Sequence, residues 1–276
     1  MHDILAHAHS YATPTAAVRY AAGAARLLGA SLTGVYVTEP IVPVSAIGPA
    51  AVIPEIYSDE VQREAAAAAA HAPGFAQWAS DSGIGNARWE VRSGFYAQAL
   101  AAAGIWCDAL VLESNASAAW GTPSLLGEIL ISGGIPCFVV PQDHDQPATF
   151  DTVVVASHGS TEAVRAVHAA LPLLQKAKHV VLLHGQPADA SSGIDWKPPF
   201  SVTQHLLAHG VRFVERALQT REAAHAGAQI IESARDARAD LLVMGAYGRT
   251  RFSEWVLGGA TRHMLERARI PLFMRH

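Results

Sequence analysis

The sequence predicts an α/β protein made of two similar doubly wound domains in tandem, each on a five-stranded parallel sheet. Three observations carry this expectation. The chain is written twice, each half alternates short apolar runs with helical patterns, and the apolar runs lack the strict alternation of half-exposed strands.

The duplication is visible residue by residue. Asp3–Leu28 and Asp151–Leu174 each open with Asp, continue as an apolar run, cross a small polar loop and enter an Ala-rich segment. Ala17-Val18-Arg19 recurs as Ala163-Val164-Arg165. DALVLES at 108–114 matches DLLVMGA at 240–246, and the closing run IPCFVVP at 135–141 matches IPLFMRH at 270–276. The polar, proline-punctuated PQDHDQPATF between them reads as a linker. We therefore expect domains at 1–142 and 150–276, with His144 solvated between its two aspartates.

In the first half the expected strands are Ile4–Ala8, Ser31–Val37, Trp89–Arg92, Ala109–Glu113 and Cys137–Val140. A Pro/Ile/Val-rich insertion at Glu39–Tyr57 precedes the helix Val61–Ser80 and is expected to be an ordered apolar loop. In the second half the strands are Thr152–Ala156, His179–His184, Val211–Ala217, Leu241–Gly245 and Pro271–Met274. Its helices are Glu162–Gln175, a short one at Val202–His209, Glu222–Arg238 and Glu254–Arg267. Strands alternating with helices imply parallel sheets with right-handed crossovers.

Composition narrows the function classes. Half of the 276 residues are hydrophobic and 16% are charged, enough for a sizeable core. The net charge of −4 gives no basic footprint, so nucleic acid is not an expected partner. No apolar run approaches the roughly 18 residues of a membrane span, and MHDILAHAHS lacks the features of a secretory signal. The expectation is a soluble cytoplasmic protein with Cys107 and Cys137 as buried free thiols.

Catalytic patterns are sparse. Neither a G-x-S-x-G elbow nor a G-x₄-G-K-[ST] loop occurs. Ser157-His158-Gly159-Ser160 has neighbouring Ser and His but no identifiable third group. His2, His7 and His9 lie near one another without further metal ligands and read as surface or loop histidines. We expect no catalytic residues and no metal.

One loop stands apart. In open parallel sheets ligands bind beyond the carboxyl ends of the strands, at the switch point of strand order. There, VMGAYGRTRFSEWVLGGATRHML carries Gly245, Gly248, Gly258 and Gly259, followed by Ala260 and Thr261, with Arg249 and Arg262 interleaved. Glycines open backbone amides to an anion, a helix start there supplies free N–H groups, and arginine screens phosphate charge. The equivalent corner of the first half is Leu112-Glu113-Ser114-Asn115, with a Trp- and Pro-containing segment after it. Glu113 would repel a phosphate there.

The pattern G-x₂-G-x₉-G, together with DLLVMGAYGR at 240–249, resembles the nucleotide-binding signature of the universal stress protein family. The strand order of both halves resembles that family's UspA-like domain, of the adenine nucleotide alpha hydrolase-like type. The resemblance implies a tandem stress-response protein that is no enzyme, with ATP or another adenine nucleotide as ligand of the second half. Carried over by position, phosphates would meet Gly248, Arg249, Gly258, Gly259, Ala260 and Thr261. The base and ribose would meet Ala156, Ser157, His158, Gly185, Met244 and Gly245. It further implies pairing of the two domains through their last strands, with homodimerisation open. This sequence departs from the family pattern at Gly259, where binders carry Ser or Thr, and at His158, near which binders carry Asp. The first half is expected not to bind nucleotide. Two other readings stay open: a nucleotide-free interaction module, and an enzyme of adenylyl-transfer type.

Overall fold

The computed structural model describes residues 1–40, 53–184, 201–218, 223–247 and 259–276. The first half contains β1 (Asp3–Ala8), α1 (Ala16–Leu28), β2 (Ser31–Thr38), α2 (Ile53–Ala70), α3 (Ala72–Asp81), β3 (Ala87–Ser93), α4 (Tyr96–Ala103), β4 (Ala109–Ser114), α5 (Pro123–Gly133) and β5 (Cys137–Pro141). The second contains β6 (Thr152–Ser157), α6 (Thr161–Leu174), β7 (His179–His184), α7 (Val202–Ala208), β8 (Val214–Ala217), α8 (Ala223–Asp236), β9 (Leu241–Gly245), α9 (Gly259–Arg267) and β10 (Leu272–Arg275).

The ten strands among the described residues form one sheet in the order β3-β2-β1-β4-β5-β10-β9-β6-β7-β8. Read outward from the centre, the two halves repeat one order. Pairing within each half is parallel, while β5 and β10 join antiparallel with Phe138 opposite Phe273. The two rings meet edge to face, 4.8 Å apart. One apolar layer, containing Ala17, Ala21, Phe138, Val153, Val155, Ala166 and Phe273, lies on the α1 and α6 face. The other, containing Leu110, Leu112, Leu126, Val154, Leu242 and Met264, lies on the α5 and α9 face. Strands covered on both faces explain the uninterrupted apolar runs of the sequence.

Capping fixes where the helices facing the switch points begin. Thr15 Oγ1 accepts from Val18 N at the start of α1, and Ser160 Oγ accepts from Ala163 N at the start of α6. Side-chain acceptors at these positions satisfy otherwise unpaired N–H groups of the first turn.

Several boundaries differ from the sequence reading. The expected helix Val61–Ser80 is two helices broken at His71, because Pro73 near the start of α3 has no N–H to continue the ladder. The first of them begins at Ile53, inside the stretch expected to be loop. The remainder of that stretch, at 41–52, lies outside the described residues. Strand β8 starts at Val214 rather than Val211. Residues 254–258 of the last expected helix also lie outside the description. His144 is not simply solvated, for its ring packs edge to face on buried Tyr20 at 5.6 Å. Cys137 is buried, whereas Cys107 is only half-buried.

Candidate functional site

The carboxyl ends of β6 and β9 lie side by side, with Ala156 in register with Met244. Ala156, Ser157 and Met244 are buried there. Gly245 follows on β9, directly against the start of α6. A Cβ at position 245 would sit 2.5 Å from Ala163 N and 2.7 Å from Glu162 C. Real Cβ atoms do not approach backbone so closely, so glycine is what lets the first turn of α6 rest on the strand end.

Beyond Gly245 the chain turns through Tyr247, whose φ of 55° is in the left-handed region. Its N–H donates to Thr261 Oγ1 at 3.3 Å, tying the strand exit to the first turn of α9. Thr261 is buried, and its hydroxyl is thereby engaged as an acceptor. Gly259 and Ala260 open α9, where first-turn N–H groups lack partners within the helix. A Cβ at Gly259 would meet nothing within 4 Å.

The loop after β6 is built for capping and not for acid–base work. Ser157 Oγ accepts from Gly159 N, Ser160 caps α6, and His158 is exposed. No hydrogen bond joins a serine hydroxyl of this loop to an imidazole among the described residues, and no group of three His, Cys, Asp or Glu there could hold a metal.

The structure thus brings together Ala156, Ser157, Met244, Gly245, Gly259, Ala260 and Thr261, with His158 at the rim. Gly185, Gly248, Arg249 and Gly258 lie outside the described residues. Arg262 is within them and pairs with Glu266 at 2.7 Å, so its charge is already engaged one turn along α9. Sequence reasoning missed Tyr247 and Glu162. The phenol oxygen of Tyr247 is buried without a partner among the described residues, and burial pushes its pKa up. Glu162 is buried in the first turn of α6. An acidic residue two places after the capping Ser160 is ordinary for a helix start, so Glu162 gave no signal.

The corresponding corner of the first half is filled from within. By the sequence match Glu113 takes the place of Gly245, and Ala17 that of Ala163. Glu113 is 4% exposed, and its Oε2 accepts from Ala17 N at 3.2 Å. Burial raises its pKa, opposed by the N–H groups of Ala17 and Ala16 and by the charge of Arg19. Its other oxygen lies 3.7 Å from His9 Nδ1. The His9 ring stacks on Trp120, with centroids 3.9 Å apart and planes 3° from parallel. Trp120 belongs to the short turn Ala119–Gly121. Asn115 N donates to Gly121 O at 2.9 Å, bringing the turn back over the strand end.

His7 departs from the surface reading given it by sequence. It is buried, packs edge to face on Tyr96 at 5.3 Å, and its pKa falls to about 3 through burial and the nearby His9.

Two parallel five-stranded units joined antiparallel at β5 and β10 define a tandem α/β protein. Residues 149–275 of the second half match the model of the universal stress protein family. Over its whole length the chain is similar in fold to a universal stress protein from Archaeoglobus fulgidus DSM 4304. That similarity has 17% identity and a TM-score of 0.70, covering 99% of this chain and 97% of the other. It is likewise similar to a protein of unknown function from Pseudomonas aeruginosa PAO1, at 13% identity and a TM-score of 0.57, covering 99% and 92%. No curated protein matches the chain. No helix among the described residues is long and apolar enough to cross a membrane.

Proposed function

We propose that this is a non-enzymatic stress-response protein whose second half binds ATP or another adenine nucleotide, while its first half does not. The observation that supports this most is the contrast at the switch points. At β9, Gly245 removes the side chain between strand and helix, and the first turn of α9 opens beside it with small residues. At β4, Glu113 places a carboxylate on the same part of the neighbouring helix. An anionic ligand is favoured by free helix N–H groups and repelled by a buried carboxylate already bonded to them. The nucleotide would act as a sensing or stabilising ligand in the cytoplasm.

The test is the thermal midpoint of nucleotide-free protein with and without millimolar ATP, since a ligand of the native state raises apparent stability. The proposal expects an upward shift that disappears in Gly259→Val. That side chain has room in the fold and would stand over the first turn of α9. Absence of any shift, or a shift unchanged in the variant, would remove the nucleotide from this corner.

A further inference from the structure

Three histidines of the second half form a stack that the nucleotide corner does not use. His205, on α7, lies between His168, on α6, and His209, the residue that ends α7. The ring centroids are 4.2 Å apart for His168 and His205, and 4.5 Å apart for His205 and His209. The Nε2 atom of His205 is buried without a hydrogen-bond partner among the described residues. We infer that His168, His205 and His209 form a proton-sensitive latch that fastens α7, and with it the edge strand β8, to α6.

The ring planes are tilted by 35° and 57°, and neutral imidazoles pack at these distances as ordinary rings. Two imidazolium ions at about 4 Å repel each other, to an extent that salt screens. The titratable group facing His205 from α6 is His168, and from its own helix it is His209. Burial and these two histidines together lower the pKa of His205 from its ordinary 6.5. The nearest carboxylate on β8, Glu215, is engaged by Thr203 Oγ1 at 3.2 Å and by His184 Nε2 at 3.2 Å. Nothing among the described residues offsets a charge on the central ring.

The sign follows from the folded pKa being depressed. The folded chain resists a proton that the unfolded chain accepts below about 6.5. The latch is therefore closed above that pH and weakens as pH falls below it. What then still holds α7 is the buried Leu206, the bond from Gln175 Nε2 to His209 O at 3.1 Å, and the Ser201–Gln204 capping box. Strand β8, exposed along its length and paired with β7, is tied to that helix by the bond from Thr203 Oγ1 to Glu215.

Histidine-resolved NMR titration of the full chain, with hydrogen exchange at α7 and β8, tests this. After correction for intrinsic exchange, amides of α7 and β8 should exchange about fivefold faster at pH 5.5 than at 7.5, a local opening. His205→Gln should abolish that dependence, and His168→Gln or His209→Gln should move the His205 midpoint upward. His168 and His209 are exposed and His205 is half-buried, so glutamine at any of the three keeps the fold. Exchange that ignores pH, or a His205 midpoint unmoved in both neighbouring variants, would overturn the latch. Loss of nucleotide binding would leave it standing, because none of the three histidines lies in the β6–β9 corner.

Discussion

The exits of β4 and β9 are the same corner of the same fold, and they differ in one side chain whose consequences run in opposite directions. Gly245 gives up its side chain so that α6 can press onto the strand. Glu113 keeps one and uses it to bond the first turn of α1. Both solutions satisfy the packing of a helix start against a strand end, so the fold does not choose between them. The chemistry does: one strand end carries no side chain and has Glu162 buried in the helix turn beside it, while the other bonds its helix with Glu113 and is closed over by Trp120 on His9. A duplicated domain can thus keep its architecture while its two crevices diverge.

Exchanging the residues should break the comparison most severely. Gly245→Glu forces a Cβ into backbone at 2.5 Å, and we expect a loss of about 3 kcal/mol or more in denaturant unfolding, as for overpacked cores. A variant as stable as the parent would mean that α6 can withdraw and that glycine is dispensable there.

The next effect separates the halves by pH. By strand register His7 occupies the place that Ala156 has in the second half. With a folded pKa of about 3 against an ordinary 6.5, it stays neutral in the fold while the unfolded chain gains a proton. Stability is full above about pH 6.5 and falls as pH drops toward 3, by up to ~1.4 kcal/mol per pH unit. His7→Phe, which keeps a ring against Tyr96, should flatten that acid limb. An unchanged limb would assign acid sensitivity to other groups.

Smaller changes sharpen the contrast. Glu113→Ala leaves Ala17 N without its acceptor and should cost about 1–3 kcal/mol. Glu113→Gln retains an acceptor and should cost less. Because burial holds the Glu113 pKa up, its charge is least welcome near neutrality. The balance between Glu113→Gln and the parent should therefore favour the variant more at pH 7 than in acid, where both side chains are neutral. The smallest expected effect is a gain. Gly259→Ser adds a hydroxyl where no atom lies within 4 Å, and should tighten ATP binding about fivefold, the value of one added hydrogen bond.

Much of the fold was legible because buried parallel strands leave apolar runs and the duplication checks each half against the other. Strands β7 and β9 have the bounds read from sequence. The break between α2 and α3 escaped because the Ala-rich stretch before His71 carries helical propensity straight into Pro73, which begins the second helix. At the candidate corner, glycine and small residues announced themselves by type and spacing, and Glu113 by its charge. The stacking of His9 on Trp120 could not be read, since it joins residues far apart in the chain. Nor could the engagement of Thr261 by Tyr247 N, which depends on a left-handed turn that a tyrosine seldom adopts.

The account rests on one crevice being open to an anion and the other being closed by its own carboxylate. Calorimetric titration of the nucleotide-free chain with ATP measures this as a stoichiometry. One equivalent per chain is predicted, lost in Gly259→Val and retained in Glu113→Gln. Two equivalents, none, or one that survives in Gly259→Val would contradict it.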